Sequence, residues 1–433
     1  MTVLPPTPSS SSSNKLGVCW LTGSGIIKIA HIHIDIPYCE VANLSESEEY
    51  GVNVKHVCAI SGTDYVAAVK IKEITEEAKI VIYDVRGFQK VWESKDMSRG
   101  VVVTGLCQGC EPEDFGGEVI IGKNKNSGCI AIATVDFGEA ARREEQGGGG
   151  RVMSEVSILQ LVPATETEGV RMRGIAQITV GGSSFCMEST KGGKRLVVGL
   201  DEDVVVLGFG ADPLKPNVGR RGIKGKGGIE IMGEIKSNSR SAITALSVVG
   251  EGGGGRQDNR GGACCFRVCV AELLHGLALY RYKESGGGGG ELECLWVKND
   301  AGLMCTSLCL RWKGRGGTVW VGEQSQETVL KIRVDEVDDV DGEEVGEGGK
   351  REGEGEGGNR LPAVFDGGSA ASKKGYMGHL FKESVVGCWG NHELYGGDEK
   401  GDGEEVERTN IIVGGVGDGI FAIGSEGTVV ALS

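Results

Sequence analysis

Short apolar runs separated by turn residues recur along the chain from Lys15 onward. The runs are rich in Val, Ile, Leu, Cys and Tyr, and Gly, Asp, Asn or Ser stand between them. Examples are YVAAVKIKEI from Tyr65, CIAIATV from Cys129 and DVVVLGF from Asp203. About twenty such runs, with almost no helical periodicity, predict an all-β fold.

Several runs follow one repeating phrase: an apolar strand, Gly, a polar turn, and a second apolar strand. The phrase begins at Arg195 (RLVVGLDEDVVVLGFG), Thr318 (TVWVGEQSQETVLKIRV) and Asn410 (NIIVGGVGDGIFAIGS). The first two stretches predict antiparallel hairpins. Hairpins that recur about every 45–60 residues, once inserts are discounted, predict a β-propeller of about six or seven blades. A pair of β-sandwiches remains the structural alternative.

The composition divides the chain into a leader, a propeller and flexible inserts. Residues 1–14 are rich in Pro and Ser and predict a disordered leader, and residues 15–433 form the predicted propeller domain. Acidic, Gly-rich inserts near 335–360 and 393–408 hold nearly all of the net charge of −15. Runs of Gly at 147–150, 252–255 and 286–290 predict loop expansions.

The remainder of the chain is close to neutral, so an extensive nucleic-acid surface is not expected. A weak or indirect nucleic-acid contact stays open at the basic loop formed by Arg220, Arg221, Lys224 and Lys226. No apolar stretch approaches the ~18 residues of a membrane-spanning helix. The Gly-rich stretches lack the Lys-Ser/Thr of a phosphate-binding loop, and the Ser residues after Gly181 lack the flanking glycines of a nucleophile elbow.

Fourteen cysteines raise the question of disulfides or zinc. The first residues lack the basic and apolar regions of a signal peptide, so we expect reduced thiols that pack as small apolar residues. Cys107 and Cys110 form the only CxxC motif, which without a second ligand pair predicts packing at a strand end. A zinc site or a redox pair remains the alternative. We expect no cofactor and no metal.

The half of the chain from Gly228 resembles the C-terminal propeller of a family of scaffold proteins. That family includes the large subunit of the damaged-DNA-binding protein, the large cleavage-and-polyadenylation specificity subunit and the corresponding splicing-factor subunit. The resemblance lies in six phrases in the family's order, namely SAITALSVV at Ser241, FRVCVAELLHGLALYRYKE at Phe266, ELECLWVKNDAGLMCTSLCL at Glu291, TVWVGEQSQETVLKIRV at Thr318, MGHLFKESVVGCWGNHEL at Met377 and IIVGGVGDGIFAIGS at Ile411.

The sequence also departs from the family pattern. The family's GD before the first hairpin is Ala271-Glu272 here, and its GN in the next hairpin is Gln326-Glu327. The family's two further propellers and helical tail have no counterpart in this chain, and the first half of the chain resembles the family only generically. A truncated, diverged remnant of a larger scaffold is therefore an alternative interpretation.

One pattern of His and Asp residues could form a metal site or an acid–base site. His31, His33 and Asp35 alternate in HIHID and so share one face of a strand, which is the arrangement a metal or an acid–base site would need. A propeller hydrolase or lyase with a channel site near these residues is the enzyme alternative. On a half-solvated strand, alternating polar residues are also the ordinary pattern.

We therefore predict a non-enzymatic propeller scaffold with no catalytic, cofactor or metal site. The resemblance implies a nuclear protein that binds protein partners within a multi-subunit complex. That complex would serve DNA repair and ubiquitin ligation, or pre-mRNA processing. No membrane partner and no small-molecule substrate are expected.

Overall fold

The fold is described from a computed structural model of the full chain. The structure describes residues 2–4, 15–21, 26–33, 39–44, 52–72, 74–98, 100–110, 128–138, 152–164, 168–190, 194–209, 226–237, 239–250, 265–284, 289–299, 304–313, 316–323, 328–335, 364–366, 412–416, 419–423 and 429–432. In these residues, 27 strands form seven antiparallel sheets.

The first three sheets, blades 1 to 3, each contain four strands in chain order. Blade 1 comprises β1 (Thr2–Leu4), β2 (Lys15–Leu21), β3 (Ile27–His33) and β4 (Cys39–Asn43). Blade 2 comprises β5 (Val52–Ala59), β6 (Tyr65–Lys72), β7 (Ala78–Asp84) and β8 (Gln89–Glu93). Blade 3 comprises β9 (Val101–Gln108), β10 (Cys129–Asp136), β11 (Met153–Val162) and β12 (Arg171–Gly181).

Blades 4 to 7 continue the same order. Blade 4 comprises β13 (Cys186–Ser189), β14 (Arg195–Gly199), β15 (Asp203–Phe209) and β16 (Ile229–Lys236). Blade 5 comprises β17 (Ile243–Gly250), β18 (Cys265–Glu272), β19 (Gly276–Glu284) and β20 (Gly290–Asn299). Blade 6 comprises β21 (Cys305–Lys313), β22 (Gly316–Glu323), β23 (Thr328–Asp335) and β24 (Val364–Asp366), and blade 7 comprises β25 (Ile412–Val416), β26 (Gly419–Ile423) and β27 (Val429–Leu432).

The blades stack face to face. The two sides of each central strand pack against different neighbouring blades. In β14, Leu196 and Val198 join a cluster with Val156 and Ile158 of blade 3. Val197, between them, joins a cluster with Phe266 and other residues of blade 5. The period of two along a strand therefore sends alternate side chains into successive interblade cores. The other apolar clusters likewise lie between blades 1 and 2, 2 and 3, and 5 and 6.

The first strand of each blade is innermost. The strands β5, β9, β13, β17, β21 and β25 lie side by side in succession, and β1 lies beside β5. Sequential sheets arranged radially, with the first strands around a common axis and the apolar cores between them, constitute a β-propeller. The all-β propeller prediction is confirmed, and the seven sheets fall within its range of six or seven blades.

The predicted strands and hairpins are largely present. The stretch at Arg195 forms the β14–β15 hairpin, that at Thr318 forms β22–β23, and that at Asn410 forms β25–β26. Part of the leader predicted to be disordered, Thr2–Leu4, is instead paired with β2, where Val3 lies opposite Val18. The rest of the leader after Leu4, residues 336–360 and the insert at 393–408 lie outside the described residues.

The described cysteines are free thiols, and most are buried, as the sequence analysis expects. The buried ones are Cys19, Cys58, Cys110, Cys129, Cys269, Cys305 and Cys309. Cys110 packs in the cluster between blades 3 and 4. Desolvation raises the pKa of Cys19, Cys58 and Cys269 to about 12, so these thiols stay protonated at neutral pH. No helix in the described part of the chain is long and apolar enough to cross a membrane.

Candidate functional site

The innermost strands carry polar side chains that bond each blade to the next around the central channel. Glu188 Oε2 on β13 accepts a hydrogen bond from the backbone N–H of Val248 on β17, at 3.0 Å. On β17, Thr244 Oγ1 donates to the carbonyl oxygen of Cys305 at 3.1 Å, and Ser247 Oγ accepts from the N–H of Leu310 at 3.0 Å. These bonds satisfy polar groups that face the channel and tie blades 4, 5 and 6 together.

The same pattern continues in blades 2 and 3. His56 Nε2 lies 3.2 Å from the carbonyl oxygen of Val103 on β9, and burial lowers the pKa of His56, which favours its neutral form. Thr104 Oγ1 lies 2.7 Å from Ser184 Oγ, immediately before β13. Interblade hydrogen bonds from polar side chains are therefore a common feature of blades 2 to 6.

Glu188 is the one described acidic side chain within this ring whose pKa is raised far from its ordinary value. Burial raises the pKa of Glu188 to about 8, and the hydrogen bond from Val248 offsets this only in part. The thiols of Cys107 and Cys186 share its surroundings, and desolvation raises the pKa of both well above the ordinary value. Burial therefore favours the protonated form of this carboxyl and of the two thiols.

The structure places the HIHID residues away from this channel. His31 and His33 lie on β3, between β2 and β4. Counted outward from the propeller axis, β3 is the third strand of blade 1. This position does not support the alternative of a channel site near these residues, because the channel is lined by the first strand of each blade. Asp35 lies outside the described residues.

The other sequence motifs are dispersed. The CxxC cysteines are an exception: Cys107 near the end of β9 and Cys110 just beyond it both pack in the core between blades 3 and 4, in agreement with packing at a strand end. Of the basic loop, Lys226 is described: its backbone pairs with that of Gln177 on β12, and the rest lies outside the described residues. Within the described ranges, no group of three His, Cys, Asp or Glu side chains could hold a metal ion.

The surface of the propeller has two faces. We define the start face as the face at which the innermost strands begin. Because neighbouring strands are antiparallel, the turns between second and third strands also lie on the start face. The turns between third and fourth strands lie on the opposite face.

Most of the large apolar side chains that are exposed in the described residues lie on the start face. Ile74 is 88% exposed in the β6–β7 turn. The others, spread over blades 3 to 5, are Val102, Phe137, Phe185, Leu273 and Leu274. On the opposite face, Phe88 in the β7–β8 turn is exposed. Among the described residues, these side chains are the candidates for a protein-binding surface.

Leu273 and Leu274 are held in place by a hydrogen-bonded clamp between blade 5 and the segment that enters it. The N–H of Leu273 donates to the carbonyl oxygen of Ala242 at 2.8 Å, and Ser241 Oγ donates to the carbonyl oxygen of Leu273 at 3.0 Å. The N–H of Ser239 donates to Glu272 Oε2 at 2.9 Å. Leu274 itself has a φ of 59°, a conformation rare for a side chain of this size.

Phe185 and Phe137 are anchored through their backbones as well. The N–H of Phe185 donates to the carbonyl oxygen of Gly199 at 3.0 Å, next to Ser184, whose N–H donates to Ser154 Oγ at 2.7 Å. The N–H of Phe137 donates to the carbonyl oxygen of Gly100 at 3.3 Å. The apolar groups of the start face are therefore presented by bonded backbone segments.

Sequence reasoning did not identify the start-face residues or Glu188 as functional. Phe185 stands in the GGSSF motif, and Leu273 and Leu274 continue an apolar run. Their exposure depends on where the turns fall, which the run itself does not reveal. A single acid that directly follows an apolar run, as in FCME at 185–188, is the signal that could have drawn attention to Glu188.

Comparison with known proteins adds distant structural similarities. No protein-family model and no curated protein matches the sequence. A candidate 6-phosphogluconolactonase from Bacteroides uniformis aligns with 77% of this chain and 80% of its own, at 9% identity and a TM-score of 0.42. Drosophila Semaphorin 2a aligns with 73% of this chain and 63% of its own, at 8% identity and a TM-score of 0.36.

Proposed function

We propose that this chain is a non-enzymatic propeller scaffold that binds protein partners through its start face. The observation that carries the proposal is the set of exposed apolar side chains that the described part of the start face presents over blades 2 to 5. Apolar side chains on rigid turns lose little conformational entropy on binding, which favours them as contact residues. Propellers present broad faces whose loops determine the partner.

The chemistry of the channel fits a structural role for its polar groups. Glu188, Thr244 and Ser247 are engaged with the backbone of the next blade. The raised pKa of the Cys107 thiol lowers the fraction of nucleophilic thiolate at neutral pH. These groups therefore support a ring that holds its blades in fixed positions.

The resemblance to nuclear scaffolds supports a more specific proposal for the partners. Four of the phrases that carry it form consecutive elements: Ser241 and Phe266 begin the phrases of β17 to β19, Glu291 that of β20 and β21, and Thr318 that of β22 and β23. We propose partners within a nuclear multi-subunit complex of DNA repair and ubiquitin ligation or of pre-mRNA processing. Leu273 and Leu274 lie inside the second phrase, on the start face.

A second proposal, a channel hydrolase or lyase, is favoured by one observation. A carboxyl with a pKa of about 8, such as Glu188, has the proton affinity that general acid–base catalysis requires. It would need a substrate that reaches the channel beside Glu188. Substitution of Glu188 by Gln would abolish such an activity and would leave partner binding at the start face unchanged.

Affinity purification of the tagged full chain from nuclear extract, with mass spectrometry of the bound proteins, tests the scaffold proposal. Recovery of ubiquitin-ligase subunits, or of RNA 3′-end or splicing subunits, is the expected result and distinguishes the two branches. Recovery of no stoichiometric partner by a folded chain would contradict it.

A further inference from the structure

The side of blade 6 that faces blade 7 carries basic side chains near the opposite face of the propeller. On its other side, blade 6 packs against blade 5 through alternate residues of its strands, among them Trp312, Val319 and Ile332. By the period of two along a strand, the residues between them point toward blade 7, whose strand β25 lies beside β21 and β22. These residues include Arg311, Thr318, Lys331 and Arg333.

The strand register brings these four residues, which we call the cation cluster, close together. Thr318 on β22 lies directly opposite Arg311 on β21 and directly opposite Arg333 on β23. Because neighbouring strands are about 4.8 Å apart, the two arginines flank the hydroxyl of Thr318. Lys331 precedes Arg333 by two residues, and its Nζ lies 4.6 Å from the ring centroid of Trp320 on the same side of the blade.

The cation cluster combines partial burial with access from solvent. Arg333 is exposed, whereas Arg311, Thr318 and Lys331 are half-buried. Burial lowers the pKa of Lys331, and the positive charge of Arg333 lowers it further. The described strands of blade 7, with the sequences IVGGV, GIFAI and VVAL, contain no ionisable side chain. Positive charge is therefore concentrated in a partly desolvated seam that solvent reaches at the opposite face.

Blade 5 provides a matched comparison at the same face. Arg281 and Lys283 on β19 share the carboxylate of Glu293, which lies 3.2 Å from Arg281 Nη2 and 3.5 Å from Lys283 Nζ. Lys283 is exposed, as Arg333 is. Replacement of Lys283 therefore removes a positive charge from the same face without changing the cation cluster.

We propose that the cation cluster is a binding site for a phosphate group. Guanidinium groups donate paired hydrogen bonds to phosphate oxygens, so Arg311 and Arg333 suit such a ligand from two sides. The ammonium group of Lys331 adds a third positive charge, and the hydroxyl of Thr318 adds a further donor. A phosphate group offers up to two negative charges and three acceptor oxygens, which matches these donors better than a carboxylate does. The site lies away from the start face and does not depend on the proposed function.

Calorimetric titration of the native, full-length chain with inorganic phosphate, at constant ionic strength, tests the proposal. We expect saturable binding by the wild type. Because Arg333 is exposed, Arg333→Gln should fold normally and should weaken phosphate binding by at least about tenfold. The control Lys283→Gln should stay within about twofold of the wild type, because screening limits the effect of a charge outside the site. The absence of saturable binding, or an equal loss in both variants, would overturn the proposal.

Acetylation of lysines in the wild type provides a second measurement that needs no variant. Phosphate should protect Lys331 from acetylation and leave Lys283 unprotected, as detected by peptide mass spectrometry. Equal protection of the two lysines, or protection of neither, would also overturn the site.

A phosphoserine peptide distinguishes the two sources of the phosphate group. If a phosphorylated partner supplies it, the peptide should bind at least about tenfold more tightly than inorganic phosphate and should lose binding in Arg333→Gln. If free phosphate is the ligand, the peptide should bind no more tightly than inorganic phosphate. Equal binding of the peptide with and without its phosphate group would show that phosphate is not recognised and would contradict the proposal.

Discussion

Leu274 and Phe88 are equally exposed, at 47% each, and both adopt left-handed backbone conformations, but they lie on opposite faces of the propeller. Their φ angles are 59° and 50°. Each residue stands in a hairpin turn, Leu274 between β18 and β19 and Phe88 between β7 and β8. They therefore form a matched pair in which the face of the propeller is the main difference.

Substitution by Asn should leave both turns intact. Asn adopts positive φ more readily than Leu or Phe. Because both side chains are about half exposed, their replacement removes little buried apolar area. We expect the free energy of unfolding of Leu274→Asn and of Phe88→Asn to stay unchanged or to rise by less than about 1 kcal/mol. Urea denaturation measures this. A large loss in Leu274→Asn alone would mean that Leu274 stabilises the fold and is not free to bind a partner.

Two adjacent glycines of the run at 286–290 should respond differently to substitution. A Cβ at Gly290 would collide with the ring of Tyr282, which is fully buried and stacked on Phe266, whereas a Cβ at Gly289 would have its nearest neighbour 3.7 Å away. We expect Gly290→Ala to destabilise the protein by about 1–3 kcal/mol and Gly289→Ala to be nearly neutral.

Chemical denaturation of both glycine variants is the measurement. Equal effects at the two positions would show that the Tyr282 ring can move away without cost. Gly290 also shows that this run is not entirely a loop expansion, because Gly290 begins β20 and lies opposite Glu284.

Removal of the cation from the buried ion pair between blades 4 and 5 should destabilise the fold. Arg195 Nη2 on β14 donates to Glu284 Oε1 on β19, and both side chains are largely buried. We expect Arg195→Met to cost about 3 kcal/mol, because it removes the cation of a largely buried charge pair. The control is Arg171→Met, which removes an exposed pair with Glu168 at 2.9 Å and should cost less than about 1 kcal/mol. Similar losses in both variants would contradict the importance of burial.

Stability should decrease with rising pH because of Glu188. The pKa of its carboxyl is raised in the folded state from 4.5 to about 8, so the folded form binds the proton more tightly than the unfolded form. The resulting stabilisation is complete below about pH 4.5 and is lost as pH rises through about 8. The expected loss is at most about 5 kcal/mol, and solvent screening of the partly exposed carboxyl reduces it.

Urea denaturation across this pH range, with wild type compared to Glu188→Gln, isolates the contribution of Glu188. The difference in free energy of unfolding between the two proteins should change as pH rises from about 4.5 through about 8. A constant difference from about pH 5 to about pH 9 would show that Glu188 titrates normally in the folded state.

The sequence revealed the second and third strands of the blades much better than the first and fourth. All residues of β14 and β15 are buried because both sides of these strands face other blades, so they read as continuous apolar runs. The outermost β8 is largely exposed, and its sequence QKVWE gives no such run. The innermost β5 mixes Lys55 and His56 with apolar residues, and it was also missed.

The candidate site was less predictable, because it depends on packing between distant segments. Nothing local to Glu188 indicates that Val248, sixty residues away, will donate to it. The exposure of Leu274 likewise follows from the clamp that Ser239 and Ser241 form with the β18–β19 turn. HIHID, the most suggestive motif in the sequence, lies on a third strand, whose position within the blade only the sheet order reveals.

Quantitative affinity purification with matched variants tests the central claim most directly. The tagged wild type is compared with Phe185→Ser/Leu274→Asn on the start face and with Phe88→Asn on the opposite face. We predict that the start-face variant loses its stoichiometric nuclear partners by at least about tenfold, while Phe88→Asn recovers them as the wild type does. Undiminished recovery by a folded start-face variant would contradict the assignment of this face as the binding surface.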